Sequence, residues 1–247
     1  MKRLWVFTGP VSAAKSEGAL RQIRRLQRKE SNRYKGYTKG VLHIRPRKSR
    51  RVEEEDPKDV ELDSTSLKGF AKTKDGNAFP CTYIDSFYDL DRTIDFREHK
   101  PDIIWLDEIH FWEWSESMCS DEYYPLVALK IAQLRKKYMV IVSGIGASSK
   151  MAPICPSMGF LLQTADRIFH YTADCDFCPG DEGLQKATRS VYIGKDKKTG
   201  KVKLGGEESF RPACPNCWFK IQNASTQDVA RRIKRLKNRS IELDINN

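Results

Sequence analysis

Short, unbroken apolar runs separated by longer amphipathic or polar stretches organise most of this chain. Residues 4–8 (LWVFT) are apolar, β-branched or aromatic, and predict a buried strand. Residues 16–30 carry Leu20, Ile23 and Leu26 at helical spacing. A second strand is predicted at 41–44. A third falls within PDIIWLDE (101–108), opened by a proline and closed by two acids. A helical stretch over 126–137 leads into a fourth strand, YMVIVSG (138–144), and RIFHYT (167–172) reads as a fifth. Strands alternating with helices predict an α/β fold with a parallel sheet flanked by helices. Such sheets hold ligands at the carboxyl ends of their strands. The loop at 9–16, the acids at 107–108 and SGIG (143–146) all fall at those ends.

Two segments break the pattern. Residues 47–76 are highly charged and poor in large apolar side chains, so they read as a long flexible loop without a core of its own. From Ser225 the tail reads as a helix. Ser225 and Asp228 form a capping pattern, Val229, Ile233 and Leu236 a narrow apolar stripe, and the other face is mostly Arg and Lys. The expected organisation is an α/β domain over 1–172, a cysteine-bearing lobe over 173–220 and a basic helical tail over 221–247.

Charge sharpens this picture. With 44 Lys+Arg against 33 Asp+Glu, the net charge is +11. That excess suits a polyanionic partner, nucleotide or nucleic acid, and equally describes solvated basic faces. No apolar run approaches the ~20 residues of a membrane span, and the five-residue apolar run near the start is too short for a signal peptide. A cytoplasmic protein without a membrane partner is expected. Its seven cysteines are then metal ligands or free thiols before they are disulfides.

GPVSAAKS (9–16) carries the first chemistry. A loop of the form G-x-x-x-x-G-K-[ST], between a strand and a helix, cradles phosphates with backbone N–H groups. Gly9, Lys15 and Ser16 fit the pattern, with Pro10, Val11, Ser12 and Ala13 between them. Ala14 stands where the second glycine belongs. Lys15 would neutralise the outer phosphates and Ser16 would ligate magnesium. A strand-to-helix turn that happens to hold Lys-Ser is the plainer alternative. Asp107 ends a hydrophobic strand, where such folds place a magnesium-associated acid, and Glu108 follows it. Two adjacent acids divide naturally into a metal role and a proton-accepting role, or they simply finish a strand.

CDFC (175–178) and CPNC (214–217) form the second constellation. Two C-x-x-C pairs supply four thiolates to one tetrahedral zinc and leave no position for water, so Cys175, Cys178, Cys214 and Cys217 predict a structural site. A pair of disulfides is the alternative. Cys81, Cys119 and Cys155 lack such spacing. FWEW (111–114) reads as packing rather than base stacking, and His43, His99 and His170 have no partner in sequence.

The order of these parts resembles the thymidine kinase family of the tetrameric, zinc-containing type, from residue 4 to about residue 220. The family loop reads G-P-x-x-S-G-K-[ST], and Gly9-Pro10 fits its start. Asp107, Glu108 and Phe111 fit D-E-x-Q-F-[FL], with His110 in place of glutamine. Gly205, Gly206 and Phe210 fit a lasso that precedes the third cysteine. Pro46 and Arg51 fit K-P-x-x-D-x-R, with Ser49 replacing the acid, and KDG (74–76) is similar to H-D-G. The resemblance implies a P-loop, RecA-like domain with a zinc-ribbon lobe, and ATP-dependent phosphorylation of a pyrimidine deoxynucleoside for DNA synthesis. It assigns Glu108 as the base for the 5′-hydroxyl and residues 9–16 with Asp107 to ATP and Mg²⁺, assisted by Arg51. His110, Phe111, Ser148, Gly205, Gly206 and Phe210 face the nucleoside, and the assembly is a homotetramer. Departures cluster at the site: Ala14 in the phosphate loop, His110, Gly146 for an aspartate and Ser148 for an aromatic, several of them removing bulk near the base. Either the pocket is enlarged for another base, or the chain is an inactive relative that binds nucleic acid or serves in an assembly through its basic surface.

Overall fold

The computed structural model describes residues 1–33, 40–49, 60–63, 66–72, 78–95, 100–112, 126–146, 156–178, 185–193 and 210–223. These fall into two compact units. The first comprises the described residues within 1–8, 14–146 and 156–170. The second comprises those within 9–13 and 171–223.

The first unit is built on β1 (Leu4–Gly9, its last residue excepted), β2 (Val41–Pro46), β3 (Val60–Asp63), β4 (Ser66–Lys72), β5 (Ala78–Ile84), β6 (Ile103–Leu106), β7 (Met139–Ile145) and β8 (Arg167–His170). They form one sheet in the order β3-β4-β5-β2-β6-β7-β1-β8. Parallel pairs join β5 to β2, β2 to β6, β6 to β7 and β1 to β8. The sheet is thus mixed but mostly parallel, and the expected α/β class holds. Helices α1 (Lys15–Arg33), α2 (Leu90–Asp95), α3 (Leu126–Leu134) and α4 (Pro156–Thr164) accompany it.

β6 and the first half of β7 are continuously apolar, as strands covered on both faces are. Ile103, Ile104, Trp105 and Leu106 of β6 are all buried, as are Val140, Ile141 and Val142 of β7. α1 buries Ala19 and Ile23, while Leu20 and Leu26 are half-buried. α3 contributes Val127, Ala128, Ile131 and Leu134 to the core, and Ala128 is anchored where its N–H donates to the buried Ser157 hydroxyl at 3.0 Å. Trp112 is fully buried and packs on Phe87 at 5.1 Å, so this member of FWEW is core.

The reading of 47–76 as an unstructured insertion is corrected. It holds a 3-10 turn (Arg47–Ser49) and the two strands β3 and β4, of which β4 runs antiparallel to β3 on one side and to β5 on the other. β4 buries Leu67 and Ala71 and exposes Lys68 and Phe70, a half-buried strand whose polar face masked its period.

The second unit contains β9 (Ala173–Asp174) paired with β10 (Lys186–Ala187), β11 (Arg189–Tyr192) paired with β12 (Phe210–Ala213), and α5 (Pro215–Gln222). Its core is Ala187, Val191, Ala213, Trp218 and Ile221 packed with the cysteines. The tail from residue 224, KDG, Arg51, Cys119, His99, Ser148, Cys155, Gly205 and Gly206 lie outside the described residues. No described helix is long and apolar enough to cross a membrane.

Candidate active site

The parallel neighbours β2 and β6 deliver their carboxyl ends side by side. His43 and Arg45 come from β2, and Asp107 and Glu108 follow β6. The backbone carries the chain into place, since the Asp107 N–H donates to the Ile44 carbonyl at 3.0 Å. α1 begins at Lys15, and its first turn closes where the Gly18 N–H donates to the Ala14 carbonyl at 2.9 Å.

Asp107 is buried and heavily engaged. The Ser16 hydroxyl, 3.0 Å from both carboxylate oxygens, donates to it. The Ser143 hydroxyl donates to Oδ1 and itself accepts from Trp105 Nε1 at 2.7 Å. Arg45 Nε stands 3.7 Å from Oδ2 and His43 Nε2 3.8 Å. Burial opposes the ionised form of Asp107. The His43 imidazole, the Arg45 guanidinium and the Ser143 hydroxyl outweigh it and hold the carboxyl far below the usual range. His43 is stacked on Trp105 at 3.9 Å, and burial lowers its pKa in spite of the neighbouring carboxylate. Lys15 feels opposing influences as well. Burial lowers its pKa, and the charges of Glu108 and Asp107 push back.

Glu108 sits at φ +54°, a left-handed conformation that is strained for a side-chain-bearing residue. Its half-buried carboxylate lies 3.6 Å from Nε2 of buried His110. A Cβ at Gly144 would crowd Ile109 Cγ2 and Met158 Cε at 3.0 Å and His110 Nδ1 at 3.3 Å. His110 is thus buried next to Glu108, and Phe111 is the half-buried aromatic beside it at 4.3 Å. Gly146 has a steric cause: a Cβ there would lie 2.2 Å from Thr8 Oγ1.

Ser16 and Asp107 present hard oxygen donors that suit magnesium. Ser49 does not take up the missing acid's role, as its hydroxyl donates to the Pro46 carbonyl at 2.7 Å and closes a local turn. Sequence reasoning missed His43, Arg45 and Ser143. Arg45 stood inside the HIRPRKSRR stretch, but nothing local marked it as a partner of Asp107.

In the second unit, the first half of the loop takes its own shape. Ser12 is left-handed at φ +63°, and the Val11 N–H donates to Ser190 Oγ at 2.9 Å. Phe210 is half-buried against Tyr192, with ring centroids 5.2 Å apart. The sulfurs of Cys175, Cys178, Cys214 and Cys217 all lie within 4.8 Å of one another, with Cys178 Sγ 3.9 Å from two of them. A tetrahedral zinc with 2.3 Å bonds places its sulfurs about 3.8 Å apart, so the donor set fits that ion. Backbone N–H groups point at the sulfurs as thiolate ligands require: Cys214 N–H at Cys175 Sγ (3.1 Å) and Cys217 N–H at Cys214 Sγ (3.4 Å). Burial raises the Cys175 and Cys217 thiols. It opposes ionisation of Cys214 too, but the Cys217 N–H and neighbouring thiols bring that group below its ordinary value.

No curated protein matches this sequence. The thymidine kinase family model matches residues 2–218, a span that takes in the loop, both acids and all four cysteines. On that match across most of its length, the chain belongs to the thymidine kinase family.

Proposed function

We propose that this protein transfers the γ-phosphoryl group of ATP to the 5′-hydroxyl of a pyrimidine deoxynucleoside, thymidine or a modified analogue. Family membership supports nucleoside kinase activity in general. The observation that carries the finer reading is Glu108. It is held in a left-handed conformation one residue after a buried, firmly ionised Asp107, and close enough to Lys15 for their charges to interact. Backbone strain of this kind persists where the surrounding structure enforces it, and it is concentrated at sites of chemistry.

Roles follow from the groups. The loop from Gly9 to Ser16 binds the phosphates of ATP, and Lys15 offsets their charge. Ser16 and Asp107 would hold magnesium, which when bound neutralises charge on the transferring group. Glu108 accepts the proton of the attacking 5′-hydroxyl, as a half-exposed carboxylate can. Phe111 and Phe210 are proposed to contact the nucleoside, and Arg51, Ser148, Gly205 and Gly206 keep their proposed roles by resemblance alone. His110 keeps its proposed place beside the nucleoside by resemblance, and its 3.6 Å approach to Glu108 would also let it support that carboxylate. A bulkier 5-substituted base is the substrate that small residues near the base would favour. The four cysteines would hold a structural zinc, and by the same resemblance the assembly is a homotetramer in the cytoplasm.

The test is phosphate transfer from ATP to a panel of natural and 5-modified deoxynucleosides, read by mass, with Glu108→Gln alongside. Transfer to a pyrimidine member, lost by at least about a hundredfold in Glu108→Gln, is expected for a general base. Equal rates in the two proteins would remove Glu108 from that role. An absence of transfer to every member by folded, zinc-loaded protein would instead favour the nucleic-acid-binding alternative. That binding would show a steep loss of affinity with added salt.

A further inference from the structure

The first half of the proposed phosphate loop packs with the cysteine lobe. Val11 gives its N–H to Ser190 Oγ at 2.9 Å, and the Ser190 side chain is buried. Gly9 approaches the other arm of the lobe so closely that a Cβ would lie 2.3 Å from the Tyr171 carbonyl oxygen. Both arms run straight into the thiol cluster. Tyr171 leads through β9 to Cys175. Ser190 stands opposite Pro212 in the β11–β12 register, two residues before Cys214. Pro212 is tied to the first knuckle as well, since its carbonyl accepts the Asp176 N–H at 3.1 Å.

We propose that Ser190 is a positioning residue for residues 9–13, and that metal held by the four cysteines fixes Ser190 and thereby the shape of that half-loop. Zinc and the loop are then linked at two points, the close backbone approach at Gly9 and the Ser190 side-chain hydrogen bond at Val11. On this inference metal loss reaches the phosphate side of the enzyme. The sequence alone implies only a structural role for zinc in its own lobe. The functional meaning rests on reading residues 9–16 as a phosphate loop, but the structural link does not, and the experiment reads the link directly.

The measurement is residue-resolved hydrogen exchange by NMR on the full chain, zinc-loaded and chelated, for wild type, Ser190→Ala and Ser190→Thr. With zinc bound, Ser190→Ala should exchange its Val11 amide about fivefold or more faster than wild type, the change that loss of one hydrogen bond worth about 1 kcal/mol produces. Ser190→Thr, which keeps the hydroxyl, should restore protection. Chelation should accelerate Val11 in wild type and add nothing further in Ser190→Ala. The Gly18 amide, which bonds to Ala14 within the first unit, should keep its rate throughout. Unchanged Val11 exchange in zinc-loaded Ser190→Ala would overturn the proposal. So would full Val11 protection in chelated wild type, or an equal loss of protection at Gly18, which would signal general unfolding. Each of these outcomes is independent of whether any nucleoside is phosphorylated.

Discussion

The Ser16 hydroxyl lies 3.0 Å from each carboxylate oxygen of Asp107. The same carboxylate faces the buried Arg45 guanidinium at 3.7 Å, so it serves the fold as well as any metal. Removing one member of a buried ion pair leaves an uncompensated charge, at a cost of about 3–5 kcal/mol. Losing a single neutral donor costs about 1 kcal/mol. Asp107→Ala should therefore be destabilised by about 3 kcal/mol and Ser16→Ala by about 1 kcal/mol, as read from urea midpoints of the zinc-loaded protein. Equal midpoints for the two variants would mean that Arg45 does not depend on Asp107.

Ala14 is the departure that most directly questions the phosphate loop. Its φ is +51°, so the chain keeps here the backbone shape for which glycine is suited, and the methyl is exposed. A left-handed alanine costs about 1–2 kcal/mol, and the extra unfolded-state freedom of glycine returns part of that. Ala14→Gly should raise the melting temperature by about 2 °C without loosening ATP binding. A lower melting temperature would show that the alanine is not strained.

The contrast between legible and hidden parts follows from range. β1, β6 and β7 were readable because their residues are buried in succession and each carries a continuous apolar run of four. β3 and β4 were not. They form an antiparallel edge where VELD and SLKGFAK alternate with charge, and each needs its neighbour to be a strand at all. Lys15, Ser16, Asp107 and Glu108 could be proposed as site residues because each stands in a local pattern, within a loop or at a strand end. His43, Arg45 and Ser143 reach Asp107 only through the pairing of β2, β6 and β7. Ser190 reaches Val11 across 179 positions. The left-handed backbone at Glu108 leaves no mark in the sequence, since the residue there is not a glycine.

Gly146, where the family carries an aspartate, is explained by Thr8. A Cβ at 146 would lie 2.2 Å from Thr8 Oγ1 but 3.5 Å from Thr8 Cβ. The conflict is thus with one hydroxyl. Gly146→Ala should cost about 1–3 kcal/mol in the native background, as overpacking does. In a Thr8→Ala background the cost should fall below about 1 kcal/mol, a coupling that a double-mutant cycle isolates. If the cost is the same in both backgrounds, Thr8 is not what keeps position 146 bare. If Thr8 is the cause, reinstating the aspartate alone should fail for the same steric reason, whatever it does for the chemistry.

Glu108 permits a sharper test, in which stability and activity part company. Glu108→Ala and Glu108→Gly both remove the carboxylate from Lys15 and His110, so both should lose phosphate transfer to a similar degree. They differ only in how the residue tolerates φ +54°. Alanine keeps the left-handed strain, while glycine relieves it, a difference of about 1 kcal/mol after allowing for the freedom glycine gains when unfolded. Glu108→Gly should therefore be the more stable of two equally inactive proteins, by about 1 kcal/mol in denaturant titrations. The order is opposite to the usual one, in which glycine for alanine destabilises a chain. A Glu108→Gly protein less stable than Glu108→Ala would mean that the backbone at 108 is relaxed. The strain that marks Glu108 as the reacting group would then be lost as an argument, and the assignment would rest on the transfer assay alone.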